Sequence, residues 1–146
     1  MQTHIKTFDQ LTTKELFHIY KLRVDTFVVE QQCPYHEIDD IDLIAKHIYL
    51  QQNTNILAYC RLYQQNDEYH IGRVIAATKH NGYGTQIMKT AIKFATEKLH
   101  AQSINIEAQT YAQQFYEKLG FIKTSEPFDE DGIQHIHMQY RKNYVI

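Results

Sequence analysis

The chain of 146 residues has no tryptophan, only two prolines and only two cysteines. It contains no apolar run long enough to cross a membrane, and its first residues, "MQTHIKTFDQ", lack the apolar core of a signal peptide. We therefore expect a cytoplasmic protein that does not engage a membrane. Because cysteines are so few, Cys33 and Cys60 are expected to be free thiols in a reducing compartment rather than a disulfide.

Basic residues are also too few to form a nucleic-acid-binding surface. Lys and Arg total 15 against 17 Asp and Glu, which gives a formal net charge of -2. No local basic cluster offsets this balance, so we expect no nucleic-acid partner. What is present is an ordinary globular composition, 43% hydrophobic and 22% charged. A chain of this length without repeats or low-complexity linkers suits a single domain, residues 1–146, with one core.

The apolar pattern predicts helices that alternate with groups of strands. Helices are predicted at residues 13 to about 30, after a capping box of Thr12 and Glu15, at 84–99 and at 111–120. Strands are predicted at 4–9, 45–52, 55–65, 68–78, 103–109, 121–125 and 133–140, the last two joined by a turn at 129–132. Residues 31–42, with Pro34, form a long polar loop that is either functional or mobile. The order predicts an α/β fold of the α+β kind, a mixed sheet with helices on its faces.

Two glycines, Gly82 and Gly84, stand where a polar loop becomes the helix of residues 84–99. Glycine weakens a helix, but it lets backbone amides at a helix start approach a phosphate closely. The spacing matches neither a P-loop nor the G-x-G-x-x-G pattern of dinucleotide-binding proteins. From spacing alone, a turn that needs glycine and a phosphate-binding loop both remain open.

The stretch "KHNGYG", residues 79–84, fits the form [QR]-x-x-G-x-[GA] except that Lys79 takes the first place. In this motif, and in "FYEKLGF" at 115–121, the chain resembles the Gcn5-related N-acetyltransferases (GNAT) over almost its whole length. Three stretches, residues 27–39, 108–121 and 129–138, resemble the ElaA-like branch of that family. The resemblance implies the element order β1-α1-α2/loop-β2-β3-β4-α3-β5-α4-β6-β7.

The resemblance also implies acetyl-coenzyme A as the cofactor, held in a gap where the fourth and fifth strands separate. The pantetheine arm would pair with the backbone of Val74, Ile75 and Ala76. The pyrophosphate would lie on the amides of Asn81, Gly82, Tyr83, Gly84 and Thr85, beside Lys79. Gln109, at the end of the fifth strand, would contact the cofactor arm, unless it only caps that strand.

Tyr116 matches the tyrosine that the family places near the thioester sulfur, which implies that it is the general acid. A phenol stays protonated at neutral pH and can donate its proton. The alternative is that Tyr116 is only a core aromatic residue. The general base is less defined: His70 has a suitable ordinary pKa, Glu30 and Glu37 are rivals, and water could also carry the proton.

The acceptor side is predicted from polar residues in the loop and on the last strand. Glu37, Asp39, Asp40 and Asp42 would attract a cationic acceptor, or they could simply form a solvated loop. Glu30, Tyr35, Glu37 and His135 are the candidate acceptor-binding residues. His135 and His137 alternate on one strand and with Cys33 invite a zinc hypothesis, but no C-x-x-C or H-E-x-x-H spacing supports a metal site.

These features predict an acetyl-CoA-dependent N-acetyltransferase in which a primary amine attacks the thioester directly in a ternary complex. The alternatives are a non-catalytic module that binds coenzyme A as a ligand or sensor, and a purely structural interaction domain. The acceptor could be a small molecule or a peptide. The sequence leaves both a monomer and a homodimer open.

Overall fold

The computed structural model describes residues 1–78 and 81–142. Eight strands form one sheet: β1 Gln2–Thr7, β2 Lys46–Gln52, β3 Asn55–Gln65, β4 Glu68–Ala76, β5 Ser103–Gln109, β6 Ile122–Lys123, β7 Phe128–Glu130 and β8 Ile133–Arg141. Helix α1 spans Thr13–Val24 and continues through a π-helical segment, Asp25–Glu30. Helix α2 spans Tyr83–Lys93 and continues likewise through Phe94–Lys98, and helix α3 spans Gln113–Lys118.

The start of helix α1 is the clearest case of local sequence fixing local structure. Thr12 Oγ1 accepts a hydrogen bond from the Glu15 amide at 3.1 Å, and Glu15 Oε1 accepts one from the Thr12 amide at 2.8 Å. The two side chains thereby satisfy amides that a helix start leaves unpaired. The predicted capping box is confirmed.

The strand order is β1-β2-β3-β4-β5-β8-β6, with β7 paired to β8. Every neighbouring pair is antiparallel except β4 and β5, so the predicted mixed sheet is confirmed. The predicted strand 121–125 is only Ile122–Lys123, and the predicted turn 129–132 narrows to Asp131 and Gly132. The extra strand β7 lies before that turn because both turn residues have positive φ and close a hairpin onto β8.

The two faces of the sheet are covered differently. Helix α2 packs Ile87, Met88 and Ala91 into the main core, which also takes in Tyr116 of α3. Helix α1 packs Ile19 on the opposite face, against Tyr49 and Tyr59. In the part of the chain that the structure describes, no helix combines the length and apolarity needed to cross a bilayer.

The parallel strands β4 and β5 are in register at a single pair, His70 and Asn105. Beyond this pair, toward the C-terminal ends of both strands, their ladder stops. On its other side, β4 has a β-bulge: Gly72 pairs with Arg61 and Ile75 with Tyr59, so Arg73 and Val74 together oppose one residue of β3. The backbone of β4 at the bulge is therefore less constrained by neighbouring strands than elsewhere in the sheet.

Candidate active site

A cavity of about 280 Å³ opens where β4 and β5 separate. Its walls come from strands β3, β4 and β5, from the end of helix α1 and the loop after it, from the residues around α3 and from the β7–β8 hairpin. Ligand sites are typically concave spaces of this kind with a few convergent polar groups. Six of the predicted catalytic, cofactor-binding and acceptor-binding residues line the cavity, namely Tyr35, His70, Val74, Gln109, Tyr116 and His135.

Strand β5 shows why polar groups converge here. Ile104, Ile106 and Ala108 point into the main core, and the alternate residues Asn105, Glu107 and Gln109 line the cavity. The twofold period of a strand thus divides "SINIEAQ" into an apolar face and a polar face. Polar side chains stand on the cavity side because the apolar side chains of β5 are buried in the main core.

Tyr116 lies in α3 with only 9% of its surface exposed. Its ring packs edge-on against Phe115 and Phe121, at centroid distances of 5.0 and 5.9 Å, and it also lines the cavity. Burial raises the pKa of the Tyr116 phenol well above its ordinary value of 10.0. Tyr116 is therefore both a core aromatic residue and a phenol that keeps its proton at the cavity wall.

His70 lies beside the closed end of the cleft, where β4 and β5 are in register. Its ring stacks on Tyr63 at 5.1 Å. Burial lowers the pKa of His70 from its ordinary 6.5, and the nearby Glu68 carboxylate opposes that shift only in part. At neutral pH the imidazole is therefore uncharged and able to accept a proton.

Two hydrogen-bonded contacts link the far ends of the cavity wall. The side-chain amides of Gln109 and Gln31 pair reciprocally, at 3.3 and 3.2 Å. The Cys33 thiol donates to the Asp131 carbonyl at 3.2 Å. The predicted cofactor contact Gln109 therefore already has a protein partner, and Cys33 ties the loop to the β7–β8 hairpin.

The two glycines of the loop before α2 have different structural roles. Gly82 is the N-cap residue with φ +75°, and a Cβ built there would meet nothing within 4 Å. A Cβ on Gly84 would lie 3.4 Å from Phe115 and 3.7 Å from the Cβ of Ala76. Gly82 thus provides the left-handed turn and an open approach, whereas Gly84 allows α2 to pack closely on its neighbours.

The other predicted cofactor contacts are distributed around this helix start. Asn81 donates from Nδ2 to Thr78 Oγ1 at 2.7 Å, and Tyr83 and Thr85 are half-buried in the first turn of α2. Lys79 lies outside the described residues. Of the three predicted pantetheine contacts, Val74 lines the cavity, Ile75 is buried and Ala76 is exposed.

The acidic loop was expected to attract a cationic acceptor or to be solvated, but three of its carboxylates pair with arginines instead. Glu37 and Asp42 are only 3% and 1% exposed. Arg23 of α1 contacts both, with Nε 2.9 Å from Glu37 Oε2 and Nη1 2.6 Å from Asp42 Oδ1. Two strand residues join them: Arg61 lies 2.7 Å from Asp39 and 3.0 Å from Asp42, and Arg73 lies 2.8 Å from Glu37.

We call these six residues, Arg23, Arg61, Arg73, Glu37, Asp39 and Asp42, the arginine–carboxylate cluster. Burial would raise the pKa of Asp39 and Asp42, but hydrogen bonds and charge from the arginines outweigh it and lower both. The cluster balances three cations against three anions. Its carboxylates therefore hold the loop to the sheet and leave little free charge for an acceptor.

The remaining candidate acceptor-binding residues differ in whether they line the cavity. Glu30 is exposed at the end of the π-helical segment and does not line the cavity, whereas Tyr35 does, with its ring 5.4 Å from the Arg73 guanidinium. His135 lines the cavity and contacts the Ile133 carbonyl at 2.8 Å through Nδ1. Within residues 1–78 and 81–142, no group of three or more His, Cys, Asp or Glu side chains is arranged to hold a metal ion.

Sequence reasoning missed Glu107 and Glu130, which also line the cavity. They come from β5 and β7 and are 52% and 45% exposed. Burial and a hydrogen bond with Glu107 raise the pKa of Glu130 above its ordinary 4.5. The alternation of "SINIEAQ" could have placed Glu107 on the polar face, but nothing local pointed to Glu130, because β7 exists only through its pairing with β8.

Comparisons with known proteins agree with this architecture. The family described as "Acetyltransferase (GNAT) domain" matches residues 10–142. A UPF0039 protein of Schizosaccharomyces pombe is 40% identical over 139 residues, which is 92% of this chain and 93% of that protein. Protein ElaA of Escherichia coli is 36% identical over 136 residues, 88% of this chain and 89% of ElaA.

Solved structures repeat the fold over nearly the full length. The crystal structure of E. coli ElaA matches with a TM-score of 0.91, and the match covers 97% of this chain and 100% of that one. The crystal structure of an acyl-CoA N-acyltransferase from Pseudomonas aeruginosa matches with a TM-score of 0.90 and 34% identity, over 96% of this chain and 99% of that one.

Proposed function

The chain belongs to the GNAT acetyltransferase family, in its ElaA-like branch, and from that membership we propose that it transfers the acetyl group of acetyl-CoA to a primary amine. The observation that carries the proposal is the cavity between β4 and β5, where a buried phenol, Tyr116, and a neutral imidazole, His70, line the same space. In this proposal residues 1–146 act as one catalytic domain in the cytoplasm.

Acetyl-CoA fits the groups around the cavity. Gly82 caps α2 with open space on the side where its Cβ would lie. Because a helix start leaves the amides of its first turn without intrahelical partners, the amides of residues 82–85 would receive a pyrophosphate. The bulged backbone at Val74, with Ile75 and Ala76 after it, would pair with the pantetheine arm. Asn81, Tyr83, Gly84 and Thr85 complete the site in this proposal. When bound, acetyl-CoA supplies an acyl carbon activated as a thioester.

The chain's own residues would then manage two protons. As the amine nitrogen bonds to the acyl carbon and the carbon–sulfur bond breaks, Tyr116 donates its proton to the sulfur, which leaves as a thiol. Its raised pKa keeps that proton available over the whole neutral range. His70, neutral at pH 7, takes the proton that the attacking amine loses, directly or through water.

His70 is a better candidate for the general base than its two rivals. Glu30 is exposed and outside the cavity wall. Glu37 is buried and already paired with Arg23 and Arg73, so protonating it would leave two guanidiniums without their partner. His70 alone among these three residues lines the cavity.

The acceptor is proposed to be cationic, although it meets different carboxylates from those expected. The loop carboxylates are neutralised by arginines, whereas Glu107 and Glu130 line the cavity and, among residues 1–78 and 81–142, have no arginine or lysine within 4 Å. The nearby basic side chains are two histidines: His135 Nδ1 lies 4.0 Å from Glu130, and His137 Nδ1 lies 4.0 Å from Glu107. An ammonium group arriving there would relieve the repulsion between the two carboxylates. Tyr35 and His135 would complete the acceptor wall.

The proposal is tested by incubating the purified protein with acetyl-CoA and a panel of small amines and peptides while free thiol is measured. We expect thiol release that requires the protein and one class of amine, above a control without amine that reports hydrolysis. Tight acetyl-CoA binding without thiol release from any amine would instead support a non-catalytic module. Absence of acetyl-CoA binding by calorimetry would leave only a structural role.

A further inference from the structure

Arg73 has a backbone conformation that is unusual for its position. Seven non-glycine residues of the described chain have positive φ, and six of these lie in turns or loops. Arg73, with φ +53°, is the one within a strand. The left-handed region costs an L-residue with a long side chain roughly 1–2 kcal/mol, so such a residue persists only where its surroundings hold it.

The strain coincides with the break in the strand ladders. Arg73 and Val74 are the two bulged residues of β4 opposite β3, and the pairing of β4 with β5 stops before them at His70. Their peptide groups therefore lie at the cavity, where the sheet itself fixes their direction least. Something other than strand pairing has to determine that direction.

The Arg73 side chain is held from the loop on the acceptor side. Its Nε lies 2.8 Å from Glu37 Oε2, and its Nη2 donates to the Glu37 carbonyl at 2.9 Å and lies 3.5 Å from Asp39. Its guanidinium also lies 5.4 Å from the centre of the Tyr35 ring. Glu37 is itself fixed by Arg23, so the residue with the strained backbone has a side chain anchored in the buried cluster.

We propose that Arg73 is a positioning residue for acetyl transfer, whose anchored side chain fixes the peptide groups of the β4 bulge toward the thioester. The proposal rests on the proposed function, since it concerns how that reaction's acyl group is held. Amide groups preorganised where charge develops on an acyl oxygen contribute about 10²–10³ in turnover. Positioning by Arg73 also links the acceptor loop to the acyl site, because the guanidinium contacts the loop while the backbone of the same residue lies in the β4 bulge.

The test uses Arg73→Gly and Arg73→Lys, with Arg141→Gly as a matched control that removes an exposed arginine from β8. Glycine accepts the left-handed φ, so the bulge and the fold should persist, as thermal unfolding will verify. Calorimetry measures the affinity for coenzyme A and for acetyl-CoA, and thiol release measures turnover with the amine found in the panel.

We expect Arg73→Gly to bind coenzyme A within about twofold of wild type but to lose about tenfold or more in kcat and any preference for acetyl-CoA over coenzyme A. Arg73→Lys should recover part of the kcat and part of the preference for acetyl-CoA, and Arg141→Gly should match wild type in both. A merely stabilising Arg73 would lower the unfolding temperature and leave the ratio of the two affinities and kcat unchanged, which overturns the proposal. Failure of wild type to release thiol would instead overturn the proposed function, while the affinity ratio still tests Arg73.

Discussion

Carboxylates lie on two sides of the cavity, in the loop of residues 31–42 and on strands β5 and β7, and they meet different neighbours. Glu37, Asp39 and Asp42 pair with three arginines and are mostly buried. Glu107 and Glu130 are about half exposed and contact each other. Acidic residues in a polar loop can therefore serve structure, while acidic residues that alternate with core residues on a strand can face a ligand.

The largest expected effect is on the loop side. Asp42→Asn removes the carboxylate that the buried Arg23 and Arg61 share and leaves each of them a single carboxylate partner, Glu37 and Asp39, so we expect the free energy of unfolding to fall by about 3–5 kcal/mol. Asp40→Asn, two residues earlier and exposed, is the control and should change it by less than about 0.5 kcal/mol. Urea denaturation measures both. A small loss for Asp42→Asn together with a higher acceptor KM would reverse the roles assigned to the two groups.

A smaller effect is expected on the strand side. Glu107→Gln and Glu130→Gln should each raise the acceptor KM about fivefold, since a half-exposed ion pair contributes about 1 kcal/mol. Their stability should hold, because each removes a repulsion between carboxylates. Glu126→Gln, exposed and away from the cavity wall, is the matched control. The wild-type KM should also rise with ionic strength, and a KM indifferent to salt and to both variants would contradict a cationic acceptor.

The smallest effect is a shift in the pKa values of the loop carboxylates and of the strand carboxylates, which carboxyl carbon NMR measures. Asp39 and Asp42 should titrate below their ordinary pKa of 3.8, and Glu130 above its ordinary 4.5. For the two Asp residues the folded state binds fewer protons than the unfolded state. Their stabilisation is therefore present above pH 3.8 and lost as the pH falls through their folded pKa values.

Glu130 has the opposite sign. Its folded pKa is raised, so its favourable contribution is present below pH 4.5 and is lost as the pH rises through the folded value. Glu130→Gln should remove this part of the pH dependence of stability and leave the acid-side loss in place. Parallel shifts in one direction for all three residues would show that both groups share one environment.

The fold could be predicted further from the sequence than the site. Alternation and the Thr12–Glu15 capping box depend on near neighbours, so most strands and helix α1 were predictable. The β4 bulge was not predictable, because the strand-like pattern of residues 68–78 continues on both sides of Arg73.

The arginine partners of the loop carboxylates are remote in sequence, so the residues of the loop alone could not reveal that these carboxylates are paired. Arg61 and Arg73 lie 19 and 36 residues from the groups they contact, Asp42 and Glu37. A clue was present, since each arginine stands inside an apolar strand run, "YCRLY" and "IGRVI", where a buried cation needs a counter-charge. Tyr116 was found through a motif, and its burial could only come from the structure.

If acetyl transfer occurs in this cavity with Tyr116 as the proton donor, Tyr116→Phe should remove the donor and leave the cavity intact. The substitution keeps the ring that packs on Phe115 and Phe121 and removes only the hydroxyl. The measurement is kcat by thiol release, together with the acetyl-CoA Kd of the same protein. We predict a fall in kcat of about 10²–10⁴ with Kd nearly unchanged, and no basic limb from this phenol in the wild-type profile near neutral pH. Full turnover in the Phe variant would show that Tyr116 is not the proton donor.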